Sequence, residues 1–347
     1  FMDSQFVAPP TPGTPGGTVP RGHLFTLSAP TNVALWYTLD GSDPRLPGGA
    51  VSGAARAYTA PLIIRTNTRV AFRGRNPGHT ALTGANNPPL ASIWSGLQVL
   101  PLITDPLPVV ISEIQFDPAG SVDFDPDDFE FVELLNRGSG PVNLAGCQVD
   151  GGIRFTFAAT NGVTRLDPGA RLVLVENPAA FRSRHPLVTN VAGPYEGRLN
   201  NAGDRLRLVG PLGETVVEVD YSPAWLGAAN VPGRALVPFD EAAPVETWPQ
   251  ASAWVPGAAL NGSPGAPDPA STGGRPTLEL VRDGASLALR FPQAAGRIHD
   301  VESAPSPAAV NWTLEQSLAP VPAPGPAAVT VTAGETARFF RVRVRLP

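Results

Sequence analysis

The 347-residue chain contains no lysine, and this absence excludes two kinds of catalytic site. All 25 basic residues are arginine, so the chain offers neither a Schiff-base lysine nor the lysine of a phosphate-binding P-loop. It also lacks a G-x-S-x-G nucleophile elbow, which argues against a serine hydrolase of the α/β type. The missing lysine favours a GC-rich genome as the source.

Cysteine and long apolar runs are also scarce. Cys147 is the only cysteine, so no intramolecular disulfide and no Cys-rich zinc site can form, and we expect a small buried thiol. No run of about 18 or more apolar residues occurs, so no membrane-spanning helix is predicted. A net charge of −5 does not favour binding to nucleic acid or to an anionic membrane.

Glycine and proline, in contrast, are abundant. The 36 glycines and 41 prolines make up about 22% of the chain, against a usual share of about 12%. Proline removes a backbone donor and glycine weakens helices, so long helices are not expected. With 42% hydrophobic residues the chain can still build cores, and short strands joined by Pro/Gly turns predict an all-β protein of sandwiches.

The N-terminal residues 1–17 lack the basic start and the apolar core of a signal peptide. Phe1 is typical of a processed or truncated product. We therefore expect further domains of the same polypeptide upstream.

The first predicted module covers residues 1–104. Its motifs are YTLDGSDP (37–44), YTAPLII (58–64), TRVAFRGR (68–75) and SIWSGL (92–97). In this order they resemble the chitobiase/β-hexosaminidase C-terminal-type domain. The resemblance implies an immunoglobulin-like sandwich that accompanies secreted bacterial proteins without being catalytic.

The second predicted module covers residues 105–268. Its motifs are VVISEIQFDP, FEFVELLNRG, VNLAGCQV, LDPGARLVLV, GRLNNAGDRLRLVGPLGE and a closing GSPG. Together they resemble the lamin tail domain in its bacterial secreted form, which implies a compact immunoglobulin-like sandwich. Alternation in 109–115 and 131–135 predicts strands buried on one face. The one predicted helix is 178–185, entered through Pro178 and ended by Pro186.

A linker is predicted over residues 269–275, followed by a third module over 276–347. Asp283-Gly284 predicts a hairpin turn, and the alternating residues 339–346 predict a terminal strand. The pattern resembles small fibronectin-like modules of secreted bacterial proteins. The order of the first two modules is similar to the C-terminal part of CotH-kinase-like multidomain proteins.

An acidic loop is the first candidate site. It contains Asp123, Asp125, Asp127 and Asp128, and hard cations such as Ca²⁺ prefer clustered oxygen ligands. The spacing begins like an EF-hand loop but has Asp128 at the glycine position and Leu134 at position twelve. The residues therefore leave two interpretations, a calcium-binding loop or a solvated hairpin loop. No other cofactor is predicted.

Glu113 and Glu133, on adjacent predicted strands, form a second candidate. Paired carboxylates can perform acid/base catalysis. Glu133 falls on the side of the apolar residues of its strand, so it needs a partner there. A structural ion pair with an arginine such as Arg137 or Arg154 is the favoured interpretation.

Aromatic residues form a third candidate. Trp36 and Tyr37 are strand neighbours and point to opposite faces, so one of them belongs to the core. The other, with Trp94, would form a platform for carbohydrate stacking. A core role for these residues is the alternative.

These patterns predict tandem immunoglobulin-like β-sandwich domains without catalytic activity of their own. The predicted function is a structural, adhesive or spacer segment of a secreted or cell-surface bacterial protein, with protein or glycan partners. The alternative is the accessory tail of a secreted enzyme, such as a CotH-like kinase, a nuclease or a glycoside hydrolase, whose catalytic domain lies upstream.

Overall fold

The computed structural model describes residues 7–79, 92–160, 163–271, 278–283, 286–293, 297–321, 325–331 and 338–345. Within these ranges the chain forms 28 strands, short 3₁₀ turns and one α-helix, which confirms the predicted all-β class. They divide into two compact units: residues up to Pro108 with Gly146–Gln148 and Leu208–Val216, and the remainder. The predicted boundaries at 104, 268 and 275 stay predictions, and residues 272–275 of the linker lie outside the described ranges.

The N-terminal part of the chain folds into a small two-layer sandwich. Its strands are β1 (Thr11–Pro12), β2 (Gly17–Thr18), β3 (His23–Phe25), β4 (Leu27–Ser28), β5 (Ala34–Thr38), β6 (Arg56–Ala57), β7 (Leu62–Ile64), β8 (Thr68–Arg75) and β9 (Gln98–Ile103). One sheet has the order β2-β9-β8-β5-β6, and the smaller sheets are β1-β4 and β3-β7. Phe25 and Ile64 of the β3-β7 pair pack against Tyr37, Phe72 and Leu102 of the large sheet. This apolar contact between layers holds the sandwich together.

The middle of the chain contains thirteen strands and the helix α1 (Pro178–Arg184). The strands are β10 (Val109–Gln115), β11 (Phe131–Asn136), β12 (Val142–Asn143), β13 (Gln148–Gly151), β14 (Ile153–Thr156), β15 (Arg165–Leu166), β16 (Arg171–Val175), β17 (Val191–Ala192), β18 (Glu196–Gly197), β19 (Asp204–Val209), β20 (Thr215–Tyr221), β21 (Arg234–Pro238) and β22 (Trp254–Leu260). One sheet has the order β17-β16-β11-β10-β21-β22 and a second the order β18-β14-β13-β19-β20. Phe116, just after β10, contacts Tyr221 of β20 with ring centroids 5.1 Å apart, as expected for two layers of a β-sandwich.

The helix α1 begins at the predicted residue, Pro178, and ends at Arg184, one residue before the predicted end. The side chain of Asn177 accepts hydrogen bonds from the backbone N of Ala179 at 3.0 Å and of Ala180 at 3.3 Å, which caps the first turn. Phe181 packs with Phe131, Val173 and Val175. The helix therefore covers one face of the six-stranded sheet.

The expectation that β10 and β11 are buried on one face only is wrong. Every residue of β10, β11 and β16 is buried. Trp248 lies on the β10 side, where its Nε1 donates to the carbonyl of Ile111 at 3.1 Å. Alternating polar residues normally indicate a solvent face, but here the polar side chains are themselves covered and hydrogen-bonded.

The C-terminal strands form two three-stranded sheets. They are β23 (Glu279–Asp283), β24 (Ser286–Gln293), β25 (Ile298–Ala304), β26 (Thr313–Leu318), β27 (Gly325–Val331) and β28 (Phe339–Arg345). The sheets have the orders β23-β24-β27 and β26-β25-β28, with Leu289, Phe291 and Val301 in the core. Asp283 lies opposite Ser286, so the predicted hairpin pairing is present, although Gly284 is outside the described residues. Within the described residues, no helix is long and apolar enough to cross a membrane.

Candidate functional site

The two candidate glutamates lie directly opposite each other in the six-stranded sheet. Glu113 of β10 pairs in register with Glu133 of β11, after a β-bulge that follows Ile111. Each has only 1% of its surface exposed. Two carboxylates at such a position repel each other and lose their hydration, so both need partners from elsewhere in the chain.

Arg171 is the principal partner of Glu133. Its Nη1 donates to Glu133 Oε1 at 2.8 Å, and its Nη2 donates to both carboxylate oxygens of Glu241, each at 2.8 Å. The hydroxyl of Ser112 adds a bond of 2.7 Å to Glu133 Oε1. Burial raises the pKa of Glu133, and the charge of Arg171 opposes that rise. The predicted structural ion pair is therefore present.

The predicted arginines are not its partners. Arg137 donates to the backbone carbonyls of Glu241 and Ala243, and its guanidinium lies over the ring of Trp248. Arg154 is exposed on β14. Arg171 reaches Glu133 because β16 is the neighbour of β11 in the sheet.

Residues 261–268, called the closing segment below, supply the remaining donors. The backbone N of Ser263 donates to Glu113 Oε1 at 2.9 Å, and that of Gly265 donates to Glu133 Oε2 at 2.6 Å. Burial, and next the charge of Glu133, raises the pKa of Glu113 well above its ordinary value. The two glutamates thus bind the backbone of the GSPG motif.

Asp268 and two left-handed residues shape the closing segment. Asp268 accepts from the hydroxyl of Ser263 at 2.8 Å and from the backbone N of Ala258 at 2.9 Å. Asn261 and Gly262 have φ of 67° and 83°. A Cβ at Gly262 would lie 2.7 Å from Glu113 Oε1 and 2.8 Å from Phe131, so only glycine fits.

Glu130 is a further buried carboxylate that the sequence reasoning did not single out. It accepts from the backbone N of Leu199 at 2.8 Å and from the hydroxyl of Tyr195 at 3.2 Å. Burial raises the pKa of Glu130 to about 7. The only signal in the sequence is its place between Phe129 and Phe131, inside an apolar run.

Glu113, Glu133 and Arg171 form a buried network of hydrogen bonds that fixes the closing segment on the sheet, and this network is called the structural lock below. Acid/base catalysis needs a carboxyl group that a substrate can approach. Glu113 and Glu133 are instead covered, and the oxygens of Glu133 accept bonds from Ser112, Arg171 and Gly265. Their raised pKa values follow from burial, which structural carboxylates also show.

The acidic loop is not gathered into one group of ligands. Asp127 pairs with Arg198, and Asp128 accepts from the Nδ2 of Asn177 at 3.1 Å. Asp123 and Asp125 are exposed. Within the described ranges, no three His, Cys, Asp or Glu side chains stand where they would hold a metal ion. Calcium binding by this loop stays a prediction.

Trp94 does not form the predicted carbohydrate platform. It is buried, with 2% exposed, and its Nε1 donates to the carbonyl of Gly49 at 2.8 Å, while Arg75 lies over its ring. Trp36 is half-buried in β5, and Tyr37 is the core residue of that pair. The prediction that Trp94 is exposed is wrong, because burial of a large indole stabilises a small sandwich more than exposure does. Glycan binding by the chain stays a prediction.

Cys147 is buried, as predicted. Burial raises the pKa of its thiol to about 11, so the thiolate is disfavoured at neutral pH.

Comparison with known proteins supports the architecture of the middle of the chain. Residues 104–223 match the family model of the Lamin Tail Domain, whose fold is immunoglobulin-like. No curated protein and no solved structure matches the chain. The resemblance of this segment to the lamin tail domain is therefore confirmed, and this kind of domain is generally a non-catalytic structural module.

Proposed function

We propose that the chain is a non-catalytic adhesive segment of a secreted or cell-surface bacterial protein, whose β-sandwiches present their faces to protein or glycan partners. The observation that carries this proposal is the structural lock: Glu113 and Glu133, the candidates for acid/base catalysis, are buried and accept bonds from the backbone of the closing segment, while Arg171 pairs with Glu133. A domain whose buried carboxylates bond to its own backbone is suited to act as a rigid support.

The family match supports the proposal for residues 104–223. The motifs YTLDGSDP and YTAPLII support a chitobiase-type accessory domain before it, and the order of the two modules supports the C-terminal part of a secreted CotH-kinase-like multidomain protein.

The absence of catalysis is tested with chromogenic ester, phosphate-ester and glycoside substrates, using the native chain and Glu133→Gln. We expect no turnover above buffer with either. Turnover by the native chain that a folded Glu133→Gln variant loses would overturn the proposal.

The adhesive role is tested with fluorescent beads coated with native chain, applied to a glycan array and to immobilised bacterial and host surface proteins. Beads coated with heat-unfolded chain are the control. We expect at least one surface to retain only the beads with folded chain. If no surface distinguishes the two bead types, the adhesive role is wrong.

A further inference from the structure

The N-terminal sandwich carries more positive charge than its own carboxylates neutralise. Residues 7–108 contain seven arginines, three aspartates and no glutamate, a net charge of +4 in a chain whose total is −5. Each aspartate already has partners within this region. They are Asp40, which accepts from the backbone N and hydroxyl of Ser42; Asp43, paired with Arg73; and Asp105, paired with Arg21.

Three of the other arginines lie in the neighbourhood of Leu39 and Asp40. Arg56 lines a hollow of about 290 Å³ with Leu39 and Asp40, and Arg65 lines a second groove that also includes Leu39. The backbone of Arg69 forms a bridge with that of Asp40. All three side chains are exposed, and among the described residues none of them has an acidic partner. Their charge is available to a molecule outside the chain.

The second groove, of about 420 Å³, runs along the edge of a strand. It is lined by Tyr37, Leu39 and Thr68, and by every residue from 61 to 66, which includes β7. Successive side chains of a strand point to opposite faces, so a groove on one face would touch only every second residue. Contact with six consecutive residues therefore places the groove along the edge of β7. In the described part of the chain, β7 pairs only with β3.

The residues around the groove expose aliphatic surface. Leu39 has 42% of its surface exposed and Ile63 has 53%, and Leu24, the cross-strand partner of Ile63, has 58%. Unpaired backbone groups beside aliphatic side chains are what an added strand requires. The arginines beside them require carboxylates.

We propose that the edge of β7 binds an extended segment of a partner protein in which apolar residues alternate with Asp or Glu. The segment adds as a strand along β7, its apolar side chains contact Leu39 and Ile63, and its carboxylates pair with Arg56, Arg65 and Arg69. This proposal rests on the proposed adhesive function and names the kind of partner for one of its faces. Glycans fit the groove less well, because aliphatic side chains do not provide the flat aromatic surface that sugars stack on.

The test measures the fluorescence anisotropy of a labelled peptide of about nine residues with alternating Glu and Val, enough to span β7 and both of its flanks. Two control peptides replace each Glu by Lys, or place Pro at every second position, where Pro removes the backbone donors that a strand needs. We expect the Glu–Val peptide alone to bind, and to bind more weakly at about 500 mM salt than at about 50 mM salt.

Two variants locate the site. Arg65→Gln should weaken binding by about fivefold, the effect of one exposed ion pair. Ile63→Thr, which keeps a β-branched residue in the strand, should weaken it by a similar factor. Arg182→Gln, which removes an exposed arginine from α1, is the matched control and should leave binding unchanged. Melting temperatures of all variants establish that they fold.

Several outcomes would overturn the proposal. Equal binding of the Pro-containing peptide would mean charge attraction without strand addition. Equal binding to Arg65→Gln and native chain would place the site elsewhere. Self-association in sedimentation that Arg65→Gln abolishes would make a second copy of the chain the occupant, and binding of heparin without the peptide would make it a polysaccharide.

Failure of this site is separable from failure of the proposed function. If native beads and Arg65→Gln/Ile63→Thr beads bind the same surfaces equally, the adhesive function stands and the β7 proposal is wrong. If the native chain turns over a substrate and the folded Glu133→Gln variant does not, the proposed function is wrong whatever the peptide does.

Discussion

Arg171 holds two carboxylates that lie far apart in the sequence, Glu133 and Glu241. Its guanidinium fork forms one bond to the first and two to the second, which a lysine ammonium would not reproduce. Because Glu133 has only 1% of its surface exposed, the loss of this cation would leave a buried carboxylate without its countercharge. Arg171 is therefore the residue on which the structural lock most depends.

We expect Arg171→Met to lower the free energy of unfolding by about 3–5 kcal/mol, the usual effect of removing one partner of a buried pair. Urea denaturation measures the change. The control is Arg165→Met, which removes the exposed pair with Asp167 and should cost at most about 1 kcal/mol. The double variant Arg171→Met/Glu133→Leu should recover much of the loss. Equal effects of Arg171→Met and Arg165→Met would contradict the assignment.

At the scale of elements, the closing segment depends on a tight left-handed turn against β10 and β11. Gly262 and Gly169 have similar φ angles, 83° and 71°. The space around them differs: a Cβ at Gly262 would meet Glu113 and Phe131, whereas a Cβ at Gly169 would meet nothing within 4 Å. Substituting Ala at each of these two glycines therefore separates the cost of backbone strain, which both share, from the cost of steric overlap, which only Gly262 has.

Gly169→Ala should cost about 1–2 kcal/mol, the strain of a left-handed residue with a Cβ. Gly262→Ala should cost about 1–3 kcal/mol more, because the added methyl group also overpacks its surroundings. Both values come from chemical denaturation. If the two substitutions cost the same, the closing segment is not packed on the glutamates as described.

At the scale of the whole molecule, different regions should respond to pH in opposite directions. Glu113, Glu130 and Glu133 have raised pKa values, mainly through burial. A carboxyl group with a raised pKa in the folded state stabilises the fold below its unfolded pKa, about 4.5, and this contribution is lost as the pH rises through the folded pKa. For Glu130 the folded pKa is about 7.

In the N-terminal sandwich the stability depends on pH in the opposite direction. A hydrogen bond from Arg73 lowers the pKa of Asp43, and bonds from Thr104 and Arg21 lower that of Asp105. A lowered pKa stabilises the fold above the unfolded value, about 3.8, and this contribution is lost as the pH falls through the folded pKa.

Hydrogen exchange followed by mass spectrometry, corrected for the intrinsic exchange rate, measures both effects. Peptides from residues 109–136 should lose protection as the pH rises from about 5 to about 8, and peptides from residues 20–75 should lose it below about pH 4. Glu113→Gln should reduce the first loss, while Glu196→Gln, which changes an exposed glutamate, should not. A gain of protection in 109–136 with rising pH would contradict the burial of these carboxylates.

Much of the fold follows from local patterns in the sequence. Glycine and proline content with alternating apolar runs predicts the all-β class, and Pro178 with Pro186 delimits the helix. The motifs from VVISEIQFDP to GRLNNAGDRLRLVGPLGE predict the lamin-tail segment that the family match confirms. The phase of β11 also predicts that Glu133 faces inward.

The candidate site was less predictable, because its contacts join distant segments. The bonds from Arg171 and Gly265 to Glu133 span 38 and 132 positions in the chain. Alternation describes residues two apart in one strand and contains no information about which strand becomes the neighbour. The same limit explains why Trp94 was expected on the surface, since its burial depends on Gly49, 45 positions away.

The sequence by itself determined that the chain forms β-sandwiches, because the period of its apolar residues and the places of its turn residues are local properties. Only the tertiary structure decided what the polar residues do. It covered the second face of β10 and β11, turned Glu113 and Glu133 into a lock for the closing segment, and left Arg56, Arg65 and Arg69 exposed beside the edge of β7. The sequence does not distinguish a buried carboxylate from an exposed one. Its surroundings, which come from distant strands, decide whether it stabilises the fold or is available to a partner.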